Sequence, residues 1–209
     1  MHARDAVLGR IREALRDVPA GERPEDVAVP RDYDRRLGLD AAARLEMFAA
    51  RVAEYRATVH RLAGAGDLPG ALAEACARHG ARRLAVAPGV PAAWRPDGVE
   101  WLEGDLDHAA LDGADGVLTG CAAGIALTGT IVLDGGERSG RRALTLLPDL
   151  HLCVVEAEQV RGTLAEALER VKPPNPVTFV SGPSATSDIE LNRVEGVHGP
   201  RRLEVFLVG

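Results

Sequence analysis

The sequence predicts an α/β fold, in which a mostly parallel sheet is flanked by helices and preceded by an N-terminal helical arm. From residue 59 onward, short apolar runs alternate with helical patterns, which is typical of strand–helix–strand units in a parallel sheet. The 209 residues suit one α/β domain with an appendage. A hydrophobic content of 46% with 27% charged residues is ordinary for a globular protein, and the few aromatic residues predict a core of Ala, Val and Leu.

The N-terminal arm and linker are predicted at residues 1–58, ahead of an α/β domain at residues 59–209. The arm opens with a predicted amphipathic helix, whose apolar residues recur at helical spacing: Val7, Leu8, Ile11 and Leu15. Three prolines among many charges in residues 17–38 predict an irregular linker, because proline removes backbone donors. A second helix, at about residues 40–56, is predicted to pack on the domain through one apolar stripe: Leu45, Phe48, Val52 and Tyr55.

Short apolar runs predict the strands of the domain, at residues 59–63, 84–87, 99–102, 116–119, 131–133, 143–146, 153–155, 177–180 and 203–208. Helical spacing predicts one helix that ends at Gly80, from Leu68, Leu72, Ala75 and Cys76. The same spacing predicts another helix ahead of Pro173, from Val160, Leu164, Leu168 and Val171.

The net charge of −6 argues against nucleic-acid binding, which needs clustered Lys and Arg. The sequence has neither an apolar stretch of about 18 residues nor the pattern of a signal peptide. We therefore expect no membrane span and no export, and we expect a cytoplasmic location.

The three cysteines, Cys76, Cys121 and Cys153, are widely spaced and odd in number, which is typical of reduced cytosolic thiols. An iron–sulfur cluster needs about four closely spaced thiolates, so we expect no such cofactor in this chain. The sequence has no dinucleotide or nucleoside-triphosphate motif, and its histidines lack metal-ligand spacing, so no metal is expected either.

Residues 181–200 combine glycines, hydroxyls, carboxylates and one imidazole in twenty positions, and we interpret them as a link between two buried strands. Connections that leave strand ends in open α/β sheets commonly bind ligands. Gly182 lets the backbone approach a ligand closely, and the hydroxyls of Ser184, Thr186 and Ser187 suit a phosphate or carboxylate. The alternative is that these hydroxyls only cap and turn the backbone.

The same segment holds the candidate catalytic residues Asp188, Glu190 and His198. The two carboxylates share a face only if the backbone is extended, and only then do they form an acid/base pair. His198 is a candidate general base, with a structural hydrogen bond as the alternative. A hydrolase triad of Ser184, Asp188 and His198 is disfavoured because no G-x-S-x-G surrounds the serine.

A second candidate ligand-binding segment is Thr128, Gly129 and Thr130, which follows Gly- and Ala-rich sequence and leads into a predicted strand. Its amides and hydroxyls are predicted to face the same cleft as residues 181–200. The alternative is a tight strand crossover in which only small residues fit.

These segments also resemble a known family. Residues 182–190, GPSATSDIE, and 196–200, GVHGP, look like the C-terminal signature of the LUD domain. Three upstream segments resemble the middle motifs of the same family: GIALTGTIVL at 124–133, LPDLH at 147–151 and the valines at 154–155. Two positions depart from the family pattern: Leu127 stands where an acidic residue is usual, and Ala185 where Arg or Asn is usual.

The resemblance implies a fold similar to ribose-5-phosphate isomerase and coenzyme A transferases. It further implies a subunit that is required, with iron–sulfur partner proteins, for the oxidation of L-lactate to pyruvate in the cytoplasm. Two other functions stay open at this point. One is a stand-alone isomerase- or transferase-like enzyme acting on a small anionic metabolite; the other is a binding module without chemistry, which uses the N-terminal arm.

Overall fold

The computed structural model describes residues 3–19, 21–171, 175–187, 193–196 and 198–209. By its internal contacts the chain divides into two compact units, residues 1–34 and 35–209. The helices are α1 (Ala3–Ala14), α2 (Ala41–Glu54), α3 (Leu68–His79), α4 (His108–Asp112) and α5 (Leu164–Leu168). Among the described residues, no helix is both long enough and apolar enough to cross a membrane.

The strands are β1 (Thr58–Leu62), β2 (Arg83–Val86), β3 (Glu100–Leu102), β4 (Gly116–Thr119), β5 (Ala123–Ile125), β6 (Thr130–Leu133), β7 (Leu150–Glu156), β8 (Val160–Arg161), β9 (Thr178–Val180), β10 (Ala185–Ser187), β11 (Arg193–Glu195) and β12 (Arg202–Val208). Six of them form a parallel sheet in the order β1-β12-β7-β4-β2-β3. A four-stranded sheet has the order β8-β5-β6-β9, and β10 pairs with β11 as an antiparallel hairpin. The predicted α/β fold with a mostly parallel sheet is confirmed.

The first unit contains helix α1, as the spacing of its apolar residues predicts. Asp5 lies in its first turn and Arg12 in its last, where each charge complements the helix dipole. None of the residues of α1 is buried. The linker that follows holds one short 3₁₀ turn, Pro24–Asp26.

The centre of the parallel sheet is formed by β7 and β12, which are buried along nearly their whole length. Continuous apolar runs of this kind suit strands that are covered on both faces. Because side chains alternate along a strand, Leu150, Leu152 and Val154 join the core that includes α3. The residues between them, His151 and Cys153, therefore face the opposite side, where α2 and the four-stranded sheet pack.

Helix α2 packs on that second face, as its apolar stripe predicts. Its N-terminus is capped by the Asp40 carboxylate, which accepts a hydrogen bond from the Ala43 amide at 2.8 Å. Phe48 and Val52 are buried in the core. The internal contacts of the chain place α2 in the second unit. The predicted boundary between the N-terminal arm and the α/β domain, between residues 58 and 59, stays a prediction from the sequence.

The strand predicted at residues 143–146 is wrong, because Arg142–Thr145 form a 3₁₀ helix. Leu144 and Thr145 are buried whereas Leu146 is exposed, which is not the alternation of a strand. An apolar run this short does not by itself distinguish a strand from a helix.

The helix predicted from Val160 begins only at Leu164, because Val160–Arg161 pair with β5 instead. Its start is fixed by a capping box: Thr163 Oγ1 accepts from the Glu166 amide at 3.3 Å, and the Glu166 carboxylate accepts from the Thr163 amide at 2.8 Å.

The polar connection at residues 181–200 joins two different sheets. It leaves β9, an only partly buried edge strand of the four-stranded sheet, and enters β12 in the middle of the parallel sheet. The prediction that both flanking strands are buried is therefore wrong for β9. The connection also reaches the parallel sheet at the amino end of a strand rather than at a carboxyl end.

Candidate ligand-binding site

A cavity of about 250 Å³ lies between the two sheets, beside the amino ends of β7 and β12; we call it the inter-sheet cavity. One wall consists of β9 and the backbone that follows it, residues 178–185, and residues 198–200 form another. The remaining lining comes from Thr145, Leu146, His151 and Leu203. Drug-sized ligands usually occupy about 300–1,000 Å³, so this space suits a smaller polar molecule.

His151 is a deeply buried polar side chain that lines this cavity, with only 2% of its surface exposed. Its Nε2 lies 2.8 Å from Oγ1 of Thr119, a buried residue on the neighbouring strand β4. The Thr119 hydroxyl in turn donates toward Cys153 Sγ at 3.8 Å, and this sulfur lies 3.8 Å from the Gly120 carbonyl oxygen. A hydrogen-bonded chain thus runs from the cavity into the sheet.

Two buried thiols extend this polar cluster. The pKa of Cys153 is lowered to about 5, first by a hydrogen bond from Cys121 and then by His151 and Thr119, against the opposing effect of burial. The pKa of Cys121 is raised well above its ordinary value, because it donates to Cys153 and is buried. Gln159 completes the cluster, since its amide nitrogen donates to the Cys121 carbonyl at 2.9 Å.

Three of the predicted site residues, Gly182, Ser184 and His198, line the inter-sheet cavity together. The link between Ser184 and His198 is not that of a nucleophile and base: Ser184 Oγ accepts from the backbone amide of His198 at 3.2 Å. Gly182 has a φ of +90° and its Cα faces Tyr55, where a Cβ atom would lie 2.6 Å from the Tyr55 backbone oxygen. The close approach made by this glycine is therefore to the protein's own backbone.

The predicted acid/base pair of Asp188 and Glu190 lies outside the described residues. Thr186 lies within β10, and its side chain is also outside what the structure describes. Their roles stay predictions.

The second predicted segment contributes to a separate groove, lined by Tyr55, Ile125, Thr128, Thr130, Leu164, Phe179 and Ser181. Within it, Thr130 Oγ1 lies 2.7 Å from both Thr128 Oγ1 and Ser181 Oγ. Phe179 and Ser181 line this groove and the inter-sheet cavity alike, so the two spaces share a wall. Gly129 instead meets helix α2, where a Cβ atom would lie 2.6 Å from the Arg51 backbone.

The two departures from the family pattern differ in position. Leu127 is 48% exposed and lines neither the inter-sheet cavity nor the groove. Ala185 does line the cavity, so its short side chain leaves room there. Across the described residues, no group of three or more His, Cys, Asp or Glu side chains is arranged to hold a metal ion.

Sequence reasoning did not assign His151, Thr119 or Thr145 to the site. His151 and Thr119 are 32 positions apart, and only the pairing of β4 with β7 brings them together. Two signals were available: His151 ends the segment LPDLH at 147–151 that resembles a middle motif of the family, and it is a polar residue in the mostly apolar strand Leu150–Glu156.

Comparison with known proteins gives matches over most of the chain. The family model described as the LUD domain matches residues 45–208. A lactate utilization protein C of Deinococcus radiodurans is 49% identical over 196 residues, which cover 91% of this chain and 90% of that protein. A lactate utilization protein C of an Exiguobacterium species is 32% identical over 145 residues, 62% of each chain.

A solved structure shares the fold. The crystal structure of a DUF162 family protein from Deinococcus radiodurans superposes with a TM-score of 0.71 at 43% sequence identity, covering 82% of this chain and 99% of that one. The resemblance read from the sequence motifs is confirmed by these matches.

Proposed function

The chain belongs to the LUD domain family, and from this membership we propose that it serves in lactate utilisation. The observation that carries the proposal is the 49% identity to a lactate utilization protein C along 91% of this chain. The aligned region covers almost the whole length of both proteins, so the similarity is not confined to one structural motif.

The finer proposal is that this chain works beside iron–sulfur proteins that oxidise L-lactate to pyruvate, and itself carries no redox cofactor. Its three cysteines fall short of the roughly four thiolates that a cluster needs, and Cys76 lies in a different core from Cys121 and Cys153. All three are free and buried thiols, which suits a reducing compartment such as the cytoplasm.

The inter-sheet cavity supports a role in handling a small ligand. It combines hydroxyl groups, backbone amides and two imidazoles in a space too small for a large cofactor. A component that holds the substrate or product would complement partners that transfer the electrons.

Deleting the gene tests the role directly. The proposal expects loss of growth on L-lactate as sole carbon source, unchanged growth on pyruvate, and recovery when the wild-type chain is supplied again. Purification of the tagged chain from lactate-grown cells is expected to bring down iron-containing proteins, with the same tag on an unrelated protein as the control. Undiminished growth in a strain without another lactate pathway would contradict the proposal.

The rival function is a stand-alone enzyme acting on a small anionic metabolite. It predicts that the isolated chain turns over a sugar phosphate or an acyl-coenzyme A, and that His198→Ala abolishes the turnover. Finding that activity alongside normal growth on L-lactate would favour the rival over the proposed role.

A further inference from the structure

We propose that the surface around α5 and β9 is an interface between two copies of this chain, which meet across a twofold axis. This surface is apolar at its centre and carries unpaired charges of both signs at its rim. A second copy is the occupant that complements both features.

The centre of the surface is a group of exposed apolar side chains, which we call the α5 patch: Tyr55, Leu127, Leu164, Leu168 and Phe179. In the described part of residues 35–209, seven large apolar side chains are exposed, and these are five of them. Three members, Tyr55, Leu164 and Phe179, line one groove. Single exposed apolar residues are ordinary, but a contiguous group is typical of a surface that binds another protein.

The other two members of the α5 patch border this groove. Leu168 lies one helical turn after Leu164, on the same face of α5. The Leu127 amide donates to the Gly162 carbonyl at 3.1 Å, which places Leu127 beside the start of α5. The patch therefore extends from β9, through the groove, to the end of α5.

The polar groups of the groove do not oppose its burial, because they hydrogen-bond to one another. Thr130 Oγ1 lies 2.7 Å from both Thr128 Oγ1 and Ser181 Oγ. Polar groups that already have hydrogen-bond partners lose little when water leaves their surroundings. Apolar side chains of a partner can therefore cover the groove.

The rim of the surface lies on the other flank of α5, in a pocket of about 390 Å³ lined by charged residues: Arg36, Arg161, Glu166, Glu169 and Arg170. The Glu166 carboxylate accepts a hydrogen bond from the Thr163 amide at 2.8 Å. Among the described residues, the three arginines and Glu169 have no ion-pair partner. An apolar centre beside a polar rim is the usual arrangement of a protein–protein interface.

The two signs of charge at the rim select the occupant. Glu169 would repel a uniformly acidic partner, and the three arginines would repel a uniformly basic one. A twofold interface uses the same surface on both copies, so each unpaired charge meets a rim that carries the opposite sign as well. The α5 patch meets itself in the same arrangement.

Sedimentation velocity of the purified full-length chain tests the inference. The wild type is expected to form a dimer with a Kd on the order of 10 μM, and Leu164→Glu to weaken it at least about tenfold, because the variant buries a charge in the apolar centre. Leu164 is the exposed first residue of α5, where a carboxylate complements the helix dipole, so the fold is expected to persist. The matched control is Leu147→Glu, at an exposed position outside the α5 patch, which is expected to dimerise like the wild type.

Two charge reversals test the twofold arrangement of the rims. Glu169→Arg makes the rim more basic and Arg170→Glu makes it more acidic, so each variant alone is expected to dimerise about tenfold more weakly than the wild type. An equimolar mixture of the two is expected to recover association, because opposite charges then face each other, and to lose the recovery at high salt. A variant that has merely lost stability would not recover on mixing.

Three results would overturn the inference. A wild type that stays monomeric at about 100 μM would assign the α5 patch to a different partner. A dimer left intact by Leu164→Glu, with the variant folded by circular dichroism, would place the interface elsewhere. A mixture of the charge variants that associates no better than its components would exclude the twofold pairing of the rims, and this result decides the case in which Leu164→Glu does not fold.

Discussion

One carboxylate oxygen of Glu204 lies 2.6 Å from Nε2 of His60, inside a cluster that joins β12 to β1 and α3. The same oxygen accepts from Arg78 at 2.8 Å, and the other lies 2.5 Å from Nε2 of His79. Only 3% of Glu204 is exposed. Burial raises the pKa of Glu204, but the hydrogen bonds from His60, His79 and Arg78 outweigh it and lower the pKa to about 2.

Glu204→Gln is therefore expected to destabilise the protein by about 3 kcal/mol at neutral pH. Because the folded-state pKa lies below the ordinary value of 4.5, the stabilisation is complete above 4.5 and is lost as the pH falls toward 2. Urea unfolding of wild type and variant at several pH values measures the difference, which is expected to shrink over this window.

Glu46→Gln is the control for that series. Glu46 pairs with Arg61 at the surface, and this hydrogen bond lowers its pKa, but both side chains are largely exposed. Exposed ion pairs contribute little to stability, so this variant is expected to unfold like the wild type. A loss as large as that of Glu204→Gln would contradict the assignment of the effect to the buried cluster.

A second prediction tests whether Gly129 is needed for ligand binding or for a tight crossover in which only a small residue fits. Its φ is +59°, and a Cβ atom would lie 2.6–2.7 Å from Arg51 and the Val52 amide nitrogen. Gly80 has a similar φ of +64° but open space around it. Gly80→Ala is expected to cost about 1–2 kcal/mol, and Gly129→Ala about 1–3 kcal/mol more, in thermal unfolding. If the two variants lose the same unfolding free energy, close packing against α2 does not require glycine at position 129, and a ligand-facing role is favoured.

A third prediction concerns the two buried thiols. Cys121→Ala removes the hydrogen bond that contributes most to lowering the pKa of Cys153, so the Cys153 thiolate is expected to form at higher pH. Ultraviolet absorbance of the thiolate during a pH titration measures this shift. Cys76→Ala, in the other core, is the control and is expected to leave the titration of Cys153 unchanged. Identical curves for the two variants would refute the coupling.

The parallel sheet could be predicted because its strands are local apolar runs, and the end of α3 because Gly80 adopts the left-handed conformation that glycine favours. The capping box of Thr163 and Glu166 was also readable, yet the apolar spacing from Val160 obscured it. The spacing of apolar residues indicates which side chains are buried, but it does not indicate that Val160–Arg161 pair with β5.

The candidate site was harder to predict because it depends on contacts between distant residues. Gly182, Ser184 and His198 line the inter-sheet cavity on two different walls, and their roles as site residues stay predictions. The buried end of the cavity comes from His151, whose neighbour Thr119 is set by strand register alone. From sequence alone, a histidine within a predicted strand is interpreted as a core residue. Only the strand register shows which residues or cavity its side chain faces.

The last prediction concerns the N-terminal arm as an interaction element. Helix α1 buries none of its residues; Val7 and Ile11 are exposed along it, and Leu15 is exposed directly after its last residue. Apolar residues repeated on one exposed helix face are typical of a surface that binds a partner. Deletion of residues 1–34 is therefore expected to leave the unfolding free energy of residues 35–209 within about 1 kcal/mol of the full chain.

The same deletion is expected to abolish capture of iron-containing partners from lactate-grown cells. The deletion ends at Asp34, the last residue of the first unit. Leu37 packs closely on Gly162, since a Cβ atom added at Gly162 would lie 2.5 Å from the Leu37 Cβ atom. A longer deletion would therefore disturb the α/β domain itself. Replacing Val7, Ile11 and Leu15 by serine in the full chain is the matched variant, since it removes the apolar face and keeps the length. If the truncated chain keeps its stability and still captures the same partners, the interaction surface lies on the α/β domain and the arm has another role.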